Sequence, residues 1–128
     1  MLRSSMIFLD ANIIIELIVP GRAKYKQVRN LLANYQEAAM STLTVHLCWY
    51  FGRQAGVREE LIAKAIDACT LLSLNPEDYF WARRNERGKD LEDAMQLACS
   101  IRNNCAPFVT LDKNLIRRYA GYTEFVTI

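Results

Sequence analysis

The segment Met6-Ile7-Phe8-Leu9-Asp10-Ala11-Asn12 runs directly into the apolar positions Ile13, Ile14 and Ile15. A short apolar run that ends on a carboxylate and turns at once into a helix-like stretch reads as a buried strand carrying Asp10 to the edge of a sheet. In open α/β sheets that edge is where ligands bind. The short side-chain oxygen of Asn12 suits it to cap a helix through about Leu17, which Pro20-Gly21 then breaks.

Outward from this stretch the chain alternates between the two periods. From Arg22 to Tyr35 the apolar positions Tyr25, Val28, Leu31, Leu32 and Tyr35 recur at helical spacing. Glu37 to Met40 is a weak strand, and Ser41 is a good N-cap for a helix whose stripe is Leu43, Leu47, Tyr50, Phe51 and Gln54. Gly52 weakens that helix and Gly56 closes it. A further helix is expected over Arg58 to Ala68, buried through Leu61, Ile62, Ala65 and Ile66, and a strand over Thr70 to Leu74. Asn75-Pro76-Glu77-Asp78 is a strong helix start, with a cap, a proline at the first position and two acids that complement the dipole. That helix ends near Gly88. Asp90 opens another, with Leu91, Ala94, Met95, Ala98 and Ile101 as its stripe. Phe108 to Leu111 reads as a strand with Asp112 behind it, Lys113 to Tyr119 as a short helix, and Glu124 to Thr127 as a last edge strand. Such alternation implies a mainly parallel sheet covered by helices on both faces.

At 128 residues, 52% hydrophobic and 23% charged, the chain has the balance of a globular protein and the size of one domain, expected to span residues 1–128. A net charge of +2 neither demands nor excludes a nucleic-acid partner. The cysteines Cys48, Cys69, Cys99 and Cys105 form no CxxC pair, and the single histidine is His46, so a zinc finger or ribbon is excluded. Mostly apolar surroundings point instead to buried, reduced thiols. Met1 to Ser5 lead into too short an apolar run for a signal peptide, and no segment approaches the roughly 20 apolar residues of a membrane span. A soluble, cytoplasmic protein is expected.

Three carboxylates fall at comparable places: Asp10 and Asp112 just past strands, and Asp93 in a first helical turn. Each alone has a plainer use, as a turn residue, a dipole partner or a helix start. Gathered at one edge they repel one another unless a cation compensates, and an all-oxygen set suits Mg²⁺ or Mn²⁺. Such an ion can activate water and stabilise charge on phosphorus. Asp90, one turn before Asp93, serves either as helix cap or as an outer contact to the site. Glu92 reads as a surface acid, and Glu16 as a further cleft candidate. Arg83, Arg84, Arg87 and Lys89 run straight into the acidic segment, either as a solvated face or as a grip on substrate phosphates. Trp49, Tyr50 and Phe51 offer planes for base stacking, although helical spacing favours core or subunit interface.

Taken in order, Phe-Leu-Asp-Ala-Asn-Ile at 8 to 13, Met-Ser-Thr-Leu-Thr at 40 to 44, Asp-Leu-Glu-Asp-Ala-Met-Gln at 90 to 96 and Phe-Val-Thr-Leu-Asp-Lys-Asn at 108 to 114 resemble the PIN domain family. The resemblance spans about Met6 to Ile128. It implies a three-layer α/β/α sandwich, a parallel sheet of strand order 3-2-1-4-5, and metal-dependent cleavage of RNA. By position, Asp10, Asp93 and Asp112 match the family's metal-binding acids, and Asn12, Ser41 and Thr110 match polar residues that support them. Likeness to the small bacterial members implies the toxin of a toxin–antitoxin pair, with an antitoxin partner and a homodimer.

Where the family places a glutamate, five positions after Ser41, this chain has His46. An imidazole there either ligates Mn²⁺, which it suits better than Mg²⁺, or turns away as a packed or solvent-facing side chain. The second case opens a different reading, a degenerate domain that binds RNA or protein without turning it over. A phosphatase using Asp10 as nucleophile is a third, but Asp10-Ala11-Asn12 lacks the second aspartate of a haloacid-dehalogenase-like site. Loss of one anionic ligand predicts weak Mg²⁺-supported cleavage of RNA relative to Mn²⁺, with His46→Glu raising the Mg²⁺ rate. Equal Mg²⁺ rates for the two proteins would contradict this.

Overall fold

The computed structural model describes residues 6–128. The reading of Met1 to Ser5 lies outside them. β1 (Ile7–Leu9) is fully buried and stands in the middle of the sheet, which is why both of its faces are apolar. The chain continues through α1 (Ala11–Ile18), α2 (Tyr25–Leu32), β2 (Ala38–Ser41), α3 (Thr42–Gln54), α4 (Glu59–Asp67), β3 (Thr70–Leu72), α5 (Pro76–Asn85), α6 (Leu91–Arg102), β4 (Phe108–Val109), α7 (Lys113–Arg118) and β5 (Phe125–Val126). All strand pairings are parallel, in the order β3-β2-β1-β4-β5, so the expected order 3-2-1-4-5 holds.

The alternation of side chains along β1 divides the core in two. Ile7 and Leu9 point with Met40 and Val109 into a layer made by Ile13, Ile14 and Ile18 of α1, Val28 of α2, Cys48 of α3, and Ile62 and Ile66 of α4. Phe8 points the other way, stacks on Phe108 with ring centroids 5.2 Å apart, and packs with Ala82, Ala94, Leu97, Leu115 and Tyr119. The result is the three-layer α/β/α sandwich.

Several local expectations are corrected. The inner face of α3 is Thr44, Cys48 and Gly52, not the stripe Leu43, Leu47, Tyr50, Phe51 and Gln54; Tyr50 and Phe51 are 52% and 41% exposed. Small inner residues let α3 lie close to α1 and α4: a Cβ at Gly52 would meet Ile62 Cδ1 at 2.6 Å. The glycine that weakens the helix by propensity is therefore what permits its packing. Leu61 is exposed, leaving Ile62 and Ile66 as the buried pair of α4. Glu16 does not face the cleft. It is buried, accepting from Lys24 N at 2.7 Å and Arg22 Nε at 3.1 Å, and this turn delays α2 from Arg22 to Tyr25.

All four cysteines are free, and burial pushes Cys48 up to about 12 and Cys99 up to about 11. Among the described residues no helix is long and apolar enough to cross a membrane. Asp78, read from sequence as a dipole partner, is buried and takes a two-pronged ion pair from Arg102, Nε to Oδ1 at 2.8 Å and Nη2 to Oδ2 at 2.9 Å. Arg102 also donates to Ser73 O, so this pair ties the end of α6 to the start of α5 and to the end of β3. Asp78→Ala strands that guanidinium and is expected to destabilise the protein by about 3 kcal/mol in urea unfolding; a loss under about 0.5 kcal/mol, typical of a surface site, would contradict the assignment.

Candidate active site

The carboxyl ends of β1 and β4 are adjacent, and each delivers a polar side chain to the same point. Asp10, not Asn12, is the N-cap of α1, its Oδ1 accepting from Ala11 N at 2.7 Å. Its other oxygen takes the Thr110 hydroxyl at 2.8 Å and Asn12 Nδ2 at 3.3 Å. Thr110 is fully buried and also accepts from Asp112 N at 3.0 Å and from Asn12 Nδ2 at 3.2 Å. Asn12 Oδ1 accepts from Leu111 N at 3.1 Å. Asn12 and Thr110 are thus the stitches between the first and fourth strands, and they fix Asp10 in one rotamer.

Asp112 caps α7, its Oδ1 accepting from Asn114 N at 2.9 Å and Leu115 N at 3.1 Å. Asp90 caps α6 in the same way, accepting from Asp93 N at 3.1 Å. Asp93, in that first turn, is held by Arg118, whose Nη2 lies 3.0 Å from Oδ2. The three acids act on one another through space. Burial, then the charges of Asp112 and Glu92, raise the Asp10 carboxyl, against the Thr110 and Ala11 hydrogen bonds that pull it down. Burial, then Asp90, Asp10 and Asp112, push Asp93 up to about 7. Glu92 is exposed, as read, yet its charge belongs to this field.

Ser41 does cap α3, accepting from Thr44 N at 3.2 Å, but its hydroxyl donates to Gln96 Oε1 at 2.6 Å. Gln96 Nε2 in turn donates to Thr44 Oγ1 at 2.7 Å, and all three side chains are buried. This network braces the start of α3 against α6, one turn beyond Asp93. Ser41 therefore supports the site at one remove. Gln96 was missed as a functional position; the available signal was one amide set among Ala94, Leu97 and Ala98.

Other expected members lie apart. His46 is exposed and lines a surface cavity of about 340 Å³ with Trp49, Tyr50, Arg53 and Gln54. Arg84 lines a different cavity beside Ala98, Ile101 and Arg102, in the C-terminal half of α6 and away from Asp93 in its first turn. Arg87 is engaged by Tyr122, with Nε and Nη2 at 3.2 and 3.1 Å from its hydroxyl and the guanidinium 5.5 Å from the ring centroid. Lys89 is exposed in the loop before Asp90, at φ 58°. None of the three is brought against the acids by a hydrogen bond or ion pair among the described residues.

Among the described residues no three acidic, histidine or cysteine side chains close around a single point. The donor set nonetheless fits a hard divalent cation: it is oxygen only, and burial together with neighbouring negative charge raises the Asp10 and Asp93 carboxyls, which a positive ion would reverse. Asp10, Asp93 and Asp112 are the groups that would hold it.

Comparison with known proteins bears on this arrangement. The PIN domain family model matches residues 7–122. Among solved structures the chain is similar to one in a toxin–antitoxin complex from Klebsiella pneumoniae, at 20% identity over 94% of this chain and 96% of that one, with a TM-score of 0.76. It is similar to VapC20 from Mycobacterium tuberculosis, a toxin described as cleaving the sarcin–ricin loop, at 17% identity, 92% and 97% coverage and a TM-score of 0.74. VapBC2 from Rickettsia felis, bound to a DNA fragment of its promoter, gives 15%, 95% and 98%, and 0.70. At such identities the likeness is one of fold. No curated protein matches by sequence.

The raised Asp93 carboxyl has a sign that can be read in solution. Between its ordinary 3.8 and about 7 the folded protein retains a proton that the unfolded chain has released, so each rise in pH across that window favours unfolding. In metal-free buffer the stability contributed at this position is therefore full at the acid end and lost towards neutrality. Asp93→Asn should gain on the wild type as pH rises through the window, measured as the difference between urea midpoints. A difference that shrinks towards neutral pH contradicts the assignment.

Proposed function

The chain belongs to the PIN domain family, and from that premise we infer that it is a metal-dependent ribonuclease. What supports the reading is that Asp10 and Asp112 stand near enough to Asp93 for their charges, with burial and Asp90, to raise its carboxyl, while burial raises that of Asp10. Mg²⁺ or Mn²⁺ held by these three would supply an acidified water and a sink for the charge that develops on phosphorus. The chain's own residues do the positioning. Thr110 and Asn12 keep one oxygen of Asp10 fixed while α1 holds the other. Both cap bonds of Asp112 fall on Oδ1, which leaves Oδ2 unengaged among the described residues. The brace through Ser41, Gln96 and Thr44 sets the height of α6 and so of Asp93.

The fold likeness to toxin–antitoxin complexes supports a toxin held by a separate antitoxin, and a homodimer in the cytoplasm belongs to the same proposal. A second reading, an RNA- or protein-binding module without turnover, is favoured by one observation: the residue in place of the fourth acid, His46, faces a cavity of its own.

Cleavage of a structured RNA with Mn²⁺ separates the two. The ribonuclease reading expects products that vanish with chelator and fall by about a hundredfold or more in Asp10→Ala. RNA binding with no cleavage in either metal selects the module.

A further inference from the structure

Arg118 is the last residue of α7, the helix whose first turn Asp112 caps. It crosses back to Asp93 on α6, and the two side chains are only 28% and 18% exposed. The path is made possible by Gly88. A Cβ at that position would come within 2.6 Å of Arg118 Cδ and 2.9 Å of Nε, and its φ of 82° is itself one that favours glycine. The loop bearing Gly88 is in turn fastened by Tyr119, which is fully buried and whose hydroxyl accepts from Arg87 N at 2.8 Å and donates to Arg87 O at 3.3 Å. Arg118 Nε, by contrast, is buried with no hydrogen-bond partner.

Arg118 reaches Asp93 while leaving one donor buried and unpaired, so the bond to that carboxyl is what holds it there. The carboxylate it reaches stands in the field of three further acids, Asp90, Asp10 and Asp112. Among the described residues the ion pairs of this edge reduce to one, Arg118 with Asp93. We propose that Arg118 is a built-in counter-ion, which stabilises the metal-free site and opposes a divalent cation for the charge of Asp93. The inference rests on the metal-site reading above. It makes the two cations alternatives: Arg118 on Asp93 in the empty site, and Arg118 released when an ion draws that carboxylate towards Asp10 and Asp112. The alternative role for an arginine in such a place, an outer contact that orients Asp93 for the metal, predicts the opposite sign.

The test is Mn²⁺ binding, read from loss of the free-ion electron paramagnetic resonance signal on chelator-stripped protein, with thermal unfolding of the same samples. Arg118→Met is expected to bind Mn²⁺ about tenfold more tightly than wild type, since a repelling charge has gone from a partly buried site. Its metal-free form should melt lower, and saturating Mn²⁺ should raise its melting temperature by more than it raises that of wild type. Arg118→Gln keeps the stem and a donor but not the charge. It should behave as Arg118→Met does, and it serves if the methionine variant does not fold. In an Asp93→Asn background the arginine substitution should change Mn²⁺ affinity by much less than it does with Asp93 in place. Unchanged or weaker Mn²⁺ affinity in Arg118→Met and Arg118→Gln, with wild type binding measurably, overturns the counter-ion while leaving the metal site standing. Mn²⁺ binding by none of the proteins overturns both.

Discussion

Asp10 is a carboxylate buried at the end of the central strand, and the carboxyl edge of the sheet is arranged around keeping it satisfied. A buried acid without partners would be expelled or neutralised. Here α1 offers its first amide, and the Thr110 hydroxyl and Asn12 amide approach the other oxygen. Those donors are positioned only because β1 and β4 are hydrogen-bonded neighbours in register, with Leu9 beside Val109. The same pairing brings Asp112 into line, since its amide rests on the Thr110 hydroxyl. One buried carboxyl thus sets the geometry of two acids and of the turn between β4 and α7.

What was legible in the sequence was what local rules encode. A strand that ends on an acid and runs into a helix announced Asp10 and Asp112, and Ser41 and Asp90 were visible as caps because capping needs a short oxygen at one position. The parallel, doubly covered sheet followed from alternating periods. The unread parts are non-local. Arg118 sits 25 residues from Asp93, and nothing in Leu-Ile-Arg-Arg says which arginine turns inward. Asp78 looked like one more acid in a first turn because its partner lies 24 residues on. Helix α3 misled for a different reason. Amphipathic patterns assume that large apolar residues face inward, whereas closely approaching helices want small ones, and Thr44, Cys48 and Gly52 carry no hydrophobic signal of that strength. Asn12 and Asp10 exchanged roles because both can cap, and only the backbone trace decides between them.

The charge balance of the edge departs from that of a simple acidic cluster in two places. His46 stands where the resemblance leads one to expect a further carboxylate, and Arg118 places a guanidinium against a carboxylate that is present. Both changes make the edge less negative. The buried brace of Ser41, Gln96 and Thr44 is neutral throughout, so α3 is fixed to α6 without adding to the repulsion. At this brace mechanical support comes without added charge, whereas Asp10, Asp90 and Asp112 supply charge and cap their helices at once.

The strand order has a consequence in time. The central strand precedes its neighbour β4 by about a hundred residues: the bond between Asp10 and Thr110 spans 100 positions, and the one that holds Asp93 comes from Arg118. Contacts of such long sequence range form late in folding, after the local helices. During synthesis, too, β1 emerges with one edge unpaired and Asp10 without its hydroxyl partner until Thr110 has been made. No form ending before residue 110 can gather the acids, so whatever chemistry they perform waits on the β4 segment.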